Sequence, residues 1–288
     1  MENMDMQGTM HPTVPNGIVE TYKSLYRTAI ANYNIEDLSC FFPLAGKNYY
    51  VQQVSKEGVE KALAKEAIPP EQLEQYFESS NRLMIVGRCP NGWMEFSSGS
   101  ADDFAELASS EMLNEDGASW LQDDGKAVET YIRKSDGKEC RYNANMSAFF
   151  RAIRNILYEL KPATTIDPRW FDYFVWTNLY CFSPVGGGNA DDKMKAVQLE
   201  DCKKLLALQI EYYNPTHIVF ITDWDYWFDD FKDIFPEVIH TGNSVTDNVV
   251  GVGKYKNAKV VVSIRPDRTK PTDPDEDLFA ADVIKALQ

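Results

Sequence analysis

Arg82-Leu83-Met84-Ile85-Val86-Gly87-Arg88-Cys89-Pro90-Asn91-Gly92-Trp93 decides how the rest of the chain reads. Residues 82–86 form an apolar run too short for a helix, and the glycines, proline and asparagine directly after it are turn formers. The segment predicts a buried strand that delivers a loop. Working outward, the same pattern recurs three times: Tyr173–Leu179 running into residues 180–189, Ile218–Ile221 running into Thr222-Asp223-Trp224, and Lys259–Ile264 running into Arg265-Pro266-Asp267-Arg268. Apolar residues at helical spacing fill the intervals, over Ile18–Tyr33, Met146–Leu160, Leu199–Tyr213 and Asp275–Leu287. Continuously apolar strands separated by amphipathic helices predict a three-layer α/β/α architecture around a central, mainly parallel four-stranded sheet. Ligands of such sheets gather outside the carboxyl ends of the strands.

Around this frame, residues 1–15 are polar and proline-containing and read as a mobile lead-in, and residues 16–288 read as a single α/β domain. Residues 40–46 read as an aromatic turn. Residues 56–67 and 71–79 read as two short helices divided by Pro69-Pro70, and 114–143 as a polar excursion.

The chain has 288 residues, 44% of them hydrophobic, enough for one substantial core. Its 29 basic and 44 acidic residues give a formal net charge of −15, which excludes a uniformly basic nucleic-acid coat. Against that background, residues 254–270 hold six basic residues (Lys254, Lys256, Lys259, Arg265, Arg268, Lys270) and one acid, Asp267, an island of +5. A cationic mouth for an anionic ligand and a solvated basic hairpin both fit that island. The first ten residues carry no cationic-then-apolar leader, and no window has the roughly 18–20 apolar residues of a membrane span. A cytoplasmic protein with no membrane partner is expected. The five cysteines (Cys40, Cys89, Cys140, Cys181, Cys202) contain no C-x-x-C pair and read as reduced thiols.

The strand-end loops carry the chemistry. Gly87 lets backbone approach a ligand, Pro90 stiffens the loop, and Asn91 and Trp93 supply a hydrogen-bonding amide and a planar surface. The competing account is a tight strand-to-helix turn. Asn178 offers donors and an acceptor to a base edge, or else ties neighbouring loops together. Gly186–Gly188 fits a phosphate cradle or a plain loop. Gly251 and Gly253 are a fragment of a dinucleotide fingerprint in the wrong place. Asp223, Asp225, Asp229 and Asp230 lack a D-x-D-x-D-G pattern and read as a capped helix start, so no metal is expected.

Taken in order, these segments resemble the uracil-DNA glycosylase superfamily: Gly87-Arg88-Cys89-Pro90; Thr177-Asn178 followed by Pro184, Gly187 and Asn189; the Glu200–Ile210 helix with Cys202; Pro215–Phe220; and Ile264-Arg265-Pro266. The resemblance spans roughly residues 82–268. It implies a divergent uracil-DNA glycosylase-like protein that recognises a nucleobase, a nucleotide or a short DNA stretch, with hydrolysis of an N-glycosidic bond, a DNA-repair activity, as the implied reaction. Carried over by position, water placement falls on Cys89 with Asn91 beside it, base reading on Asn178 and stabilisation of the leaving base on Arg265. Gly87, Arg88, Pro90, Trp93, Pro184, Gly187, Asn189 and Arg268 would contact substrate.

The chain departs from the family pattern at three places. Cys89 stands where many members carry an acid or amide. Arg265 stands in place of a histidine and cannot shuttle a proton. The paired cysteines of an iron-sulfur branch are missing, although Cys181 and Cys202 lie near two of their places, so neither an iron-sulfur cluster nor any other cofactor is expected. The first two departures suit the alternative, a catalytically inactive nucleotide- or partner-binding protein on the same fold. A third idea pairs Cys89 as a thiol nucleophile with His217 or His240.

Overall fold

The computed structural model describes residues 14–45, 76, 79–91, 94–95, 99–112, 129–132, 139–142, 147–160, 170–242, 246–266 and 276–288. The expected lead-in and the two short helices at 56–79 lie almost wholly outside them.

The four expected strands form and lie side by side. They are β3 (Leu83–Gly87), β7 (Phe174–Asn178), β9 (His217–Ile221) and β12 (Ala258–Ser263), all parallel, in the order β12-β9-β3-β7. The four-stranded expectation is nevertheless too small, because the sheet has seven strands. Antiparallel β11 (Val249–Tyr255) and β10 (Ile239–His240) extend one edge and β2 (Leu44–Ala45) the other. Of these, β2 and β10 are two residues long, too short to leave a period-2 signal, and β11 is interrupted by Gly251 and Gly253. Those glycines are packing devices. A Cβ on Gly251 would lie 2.5 Å from the Trp224 ring and one on Gly253 2.2 Å from the Glu237 carbonyl oxygen.

Alternate residues of each parallel strand enter two separate cores, which is why the strands read as continuous apolar runs. Met84, Val86, Val175, Ile218, Phe220, Val260 and Val262 face one side, against α1 (Asn16–Asn32), α2 (Ala101–Met112) and α4 (Asp192–Tyr213). Leu83, Ile85, Phe174, Trp176, Val219, Ile221 and Val261 face the other, against α3 (Ala148–Leu160) and α5 (Glu276–Leu287). Three layers result.

Local chemistry explains the helix bounds. Helix α4 begins seven residues before the apolar period does. Asp191 caps it by accepting the Met194 N–H at 2.8 Å, and its first turns bury the polar Lys195 and Gln198, which a search for apolar spacing passes over. It ends at Asn214 in the left-handed conformation (φ 45°), followed by Pro215. Helix α2, unread in the sequence, opens with a reciprocal box: Asp103 N–H donates to Ser100 Oγ (3.1 Å) and Ser100 N–H to Asp103 Oδ2 (2.7 Å).

The expected aromatic turn at 40–46 contains the end of β1 (Leu38–Cys40) and β2 instead. Strand β1 pairs with β4 (Met94–Glu95) and β8 (Phe182–Pro184) in a small second sheet. Within the polar excursion, β5 (Glu129–Ile132) and β6 (Glu139–Tyr142) form an antiparallel pair. No helix among the described residues is long and apolar enough to cross a membrane.

The chain passes from β3 outward to β7, then returns across β3 to β9 and on to β12. The direction of travel therefore reverses between β3 and β9, and in such sheets the reversal opens a crevice at the carboxyl ends of those two strands.

Candidate functional site

Strand β3 ends at Gly87 and β7 at Asn178, and these two residues are register partners. A Cβ on Gly87 would fall 2.3 Å from Asn178 Oδ1, so only glycine leaves room for the Asn178 side chain in this position. Its amide nitrogen is buried and has no hydrogen-bond partner among the described residues. A buried donor left unsatisfied costs about 1–3 kcal/mol, so the fold carries this group at a cost. Alongside Asn178 lies a cavity with room for about one water molecule, walled by Phe41, Thr177, Tyr180 and Gln209.

Beyond Gly87 the chain turns across the end of β7. Leu179 N–H donates to Gly87 O at 2.9 Å and Tyr180 N–H to Arg88 O at 3.0 Å. Asn91 adopts φ 58° and its Oδ1 accepts the Gly188 N–H at 2.7 Å, fastening the first loop to Gly186–Asn189, where Gly187 and Gly188 also have positive φ. The Asn91 carboxamide oxygen thus serves loop geometry. Cys89 lies between these loops with Sγ 3.7 Å from Asn189 Oδ1. Burial pushes its thiol pKa up. The backbone amides of Ala190 and Asn91, with the charges of Arg265 and Arg88, pull the other way without overcoming burial. The sulfur is therefore a neutral thiol at pH 7, unlike an activated nucleophile.

The histidines do not change that. His217 opens β9 opposite Leu83, whereas Cys89 lies two residues past the other end of β3 at Gly87, and the four strand steps from Leu83 to Gly87 alone span about 13 Å at roughly 3.3 Å per residue. His240 is four strands away from β3, about 19 Å, with its ring 4.8 Å from that of Trp224. The thiol–histidine idea fails on distance.

Arg88 crosses from β3 to β9. Its Nε donates to Thr222 O at 3.0 Å, its Nη2 pairs with Asp223, and its guanidinium lies 5.3 Å from the Trp227 ring centre. Burial and the like charge of Arg265 pull its pKa down to about 10, against a smaller opposing effect of Cys89. Arg265, exposed and two residues past β12, is close enough to act electrostatically on both Arg88 and Cys89. Gly87, Arg88, Cys89, Asn91, Asn178, Gly187, Asn189 and Arg265 therefore meet at one end of the sheet, with Pro90 in the first loop and Pro184 at the end of β8, just before the second. Trp93 and Arg268 lie outside the described residues.

The basic island is split. Lys254 and Lys256 border the β11–β12 hairpin turn and Lys259 starts β12, so all three occupy the opposite end of the sheet from Arg265. Lys259 Nζ reaches Gln288 O at 3.1 Å there. Adjacency in sequence is misleading here because β12 itself separates the two groups.

Sequence reading missed a second cluster beside Arg88. Lys195, 7% exposed on α4, donates to Tyr226 O (2.6 Å), pairs with Asp230 (2.8 Å) and lies 3.9 Å from the Tyr226 ring centre, while Tyr180 OH donates to Asp230 at 2.6 Å. This network ties α4 to the segment that follows β9, where a 3-10 helix runs over Phe228–Ile234. The only sequence signal was the acidic-aromatic run after an apolar strand. Among the described residues no group of three or more His, Cys, Asp or Glu is placed to hold a metal ion.

Comparison with protein-family models and with curated proteins finds no match to the chain.

Proposed function

We propose that the chain is a divergent uracil-DNA glycosylase-like protein that binds a nucleobase or nucleotide at the carboxyl ends of β3 and β7, and that it hydrolyses an N-glycosidic bond in DNA. The observation that carries this reading is Asn178. Its NH2 group is buried beside Gly87 with no hydrogen-bond acceptor among the described residues, which suits a donor waiting for a base carbonyl. When the bond breaks, negative charge develops on the leaving base, and Arg265 supplies the nearby positive charge that stabilises it.

The net charge of −15 suits contact with one nucleotide or a short single strand better than extended duplex. A second reading, a binding protein without turnover, is favoured by one observation: Cys89 is a buried neutral thiol at the position where the resemblance calls for a water-orienting group.

The deciding experiment measures base release from uracil-containing and mismatched oligonucleotides. Release by the wild type that falls about a hundredfold in Asn178→Ala and in Arg265→Ala supports the hydrolase. Equal background release from all three overturns it. In that case, a thermal shift with free bases, nucleosides or nucleotides that Asn178→Ala abolishes would establish the binding protein.

A further inference from the structure

Hydrolysis requires a group that takes a proton from the attacking water, and at neutral pH amides, guanidiniums and neutral thiols do not serve. That removes Asn91, Asn178, Asn189, Arg88, Arg265 and Cys89 from consideration. The other nearby carboxylates are tied to α4 and not to the loop after β3. Asp191 caps α4, Asp192 accepts the Tyr226 hydroxyl at 2.7 Å, and Asp230 holds Lys195 and Tyr180.

Asp223 differs. It stands just past β9, at the mouth of the crevice where the sheet reverses direction, and its side chain is 37% exposed. Arg88, the residue between Gly87 and Cys89, pairs with Oδ2, whereas Oδ1 has no hydrogen bond or ion pair among the described residues. The backbone holds it firmly: its N–H donates to Ser263 O at 2.9 Å and its carbonyl accepts the Phe228 N–H at 3.4 Å. Its φ of 70° is a left-handed conformation that costs a non-glycine residue energy and that recurs at functional positions.

We infer that Asp223, oriented by Arg88 in the crevice between β3 and β9, is the general base of the hydrolysis proposed above, and the inference rests on that reading. Oδ1 takes a proton from water as the water oxygen bonds to C1′ of the nucleotide. The C1′–N bond breaks with its electron pair leaving on the base, and the departing base anion then receives the proton from Asp223. Cys89 has no part in the proton transfer.

The test uses single-turnover release of uracil from a single-stranded oligonucleotide, together with binding to the same strand carrying 2′-fluorouridine, whose fluorine disfavours the cation-like sugar and prevents cleavage. Asp223→Gly suits the backbone, because glycine adopts φ 70° without strain. Asp223→Asn keeps the shape, and Asp225→Asn is the control on the same loop. Both Asp223 variants should release uracil about a hundredfold more slowly while binding the fluorinated strand as the wild type does. Added formate should restore Asp223→Gly about tenfold and Asp223→Asn not at all, because only the glycine leaves space for a carboxylate. Wild-type rates in Asp223→Gly, or no formate rescue while binding is intact, overturn the inference and leave the hydrolase reading standing. Loss of binding in both variants also overturns it, by making Asp223 a binding residue. No release by the wild type removes the hydrolase reading and this inference together.

Discussion

The two ends of the parallel strands treat their polar residues differently. At the amino ends, the strand-entry backbone and its neighbouring side chains are tied together, although the Tyr213 hydroxyl and the Trp170 ring nitrogen, in the segments leading into β9 and β7, are buried without a hydrogen-bond partner among the described residues. Arg82 O accepts the N–H groups of Thr216 and His217, Arg82 Nε donates to Asn214 O at 2.6 Å, Lys259 N–H donates to Thr216 O, and His217 Nδ1 lies 2.9 Å from Thr216 Oγ1. At the carboxyl ends, the Asn178 amide is buried without a partner among the described residues, two arginines oppose each other, and Asn91 and Asp223 adopt positive φ. Unsatisfied buried atoms and positive φ occur at both ends, as at Tyr213, Asn214 and Lys256, so what sets the carboxyl ends apart is the pair of opposed arginines and the Arg88–Asp223 pair between β3 and β9. The difference also separates residues that look alike in the sequence: His217, Lys254, Lys256 and Lys259 belong to the structural end, and Arg88 and Arg265 to the other.

The largest expected effect tests what holds the carboxyl end in place. Lys195→Met removes the buried cation between Asp230 and Tyr226 O, leaving a half-exposed carboxylate with Tyr180 alone. A loss of about 2–3 kcal/mol is expected, less than for a fully buried pair because Asp230 reaches solvent. Chemical denaturation measures it, and the corresponding fall in Tm is about 5–10 °C. Unchanged stability would mean that the segment after β9 is held by its aromatic packing, and the contrast between the ends would lose its structural half.

A matched pair of arginines sharpens the contrast. Arg82→Met and Arg88→Met each remove hydrogen bonds to backbone carbonyls, and each should cost about 1–2 kcal/mol in denaturation. Only Arg88→Met should also weaken nucleotide binding, by about tenfold, since it alone removes a positive charge from the carboxyl ends of the strands. Titration of both variants with one nucleotide gives the answer. Equal affinities would break the functional half of the comparison.

The same division explains what the sequence disclosed. The four parallel strands were legible because burial on both faces leaves uninterrupted apolar runs of about five residues. Strand β11 was not, because close packing against Trp224 and Glu237 requires glycines where strand apolars would signal. Helix α4 was legible from Leu199 onward and hidden before it by the buried polar groups Lys195 and Gln198. At the site, the glycine- and proline-bearing loops and Asn178 stood out because local backbone geometry dictates those residue types. The Arg88–Asp223 pair did not, because it depends on β3 and β9 being neighbours, a fact of topology that no local pattern records.

The smallest predicted effect belongs to the structural end and depends on pH. Burial, and secondarily Lys259, hold the His217 pKa below its ordinary value, so the folded protein favours the neutral ring. As pH falls through about 6.5 the unfolded chain takes up a proton that the folded chain does not, and stability declines until the folded histidine titrates as well. Above that window the contribution is fully present. His217→Asn keeps a side-chain partner for Thr216 and abolishes the titration. Its unfolding free energy should therefore change less than that of the wild type between pH 7.5 and 5 by about 1 kcal/mol or less, read from denaturation at both pH values. Carboxylates whose pKa is lowered in the fold, such as Asp233 beside Lys203, titrate at lower pH and leave this window to the histidine. Nucleotide binding at the far end should be the same in both proteins at either pH. A pH-dependent difference in binding would show that the ends communicate through β9, and the division between a structural and a functional end would then be one of chemistry alone.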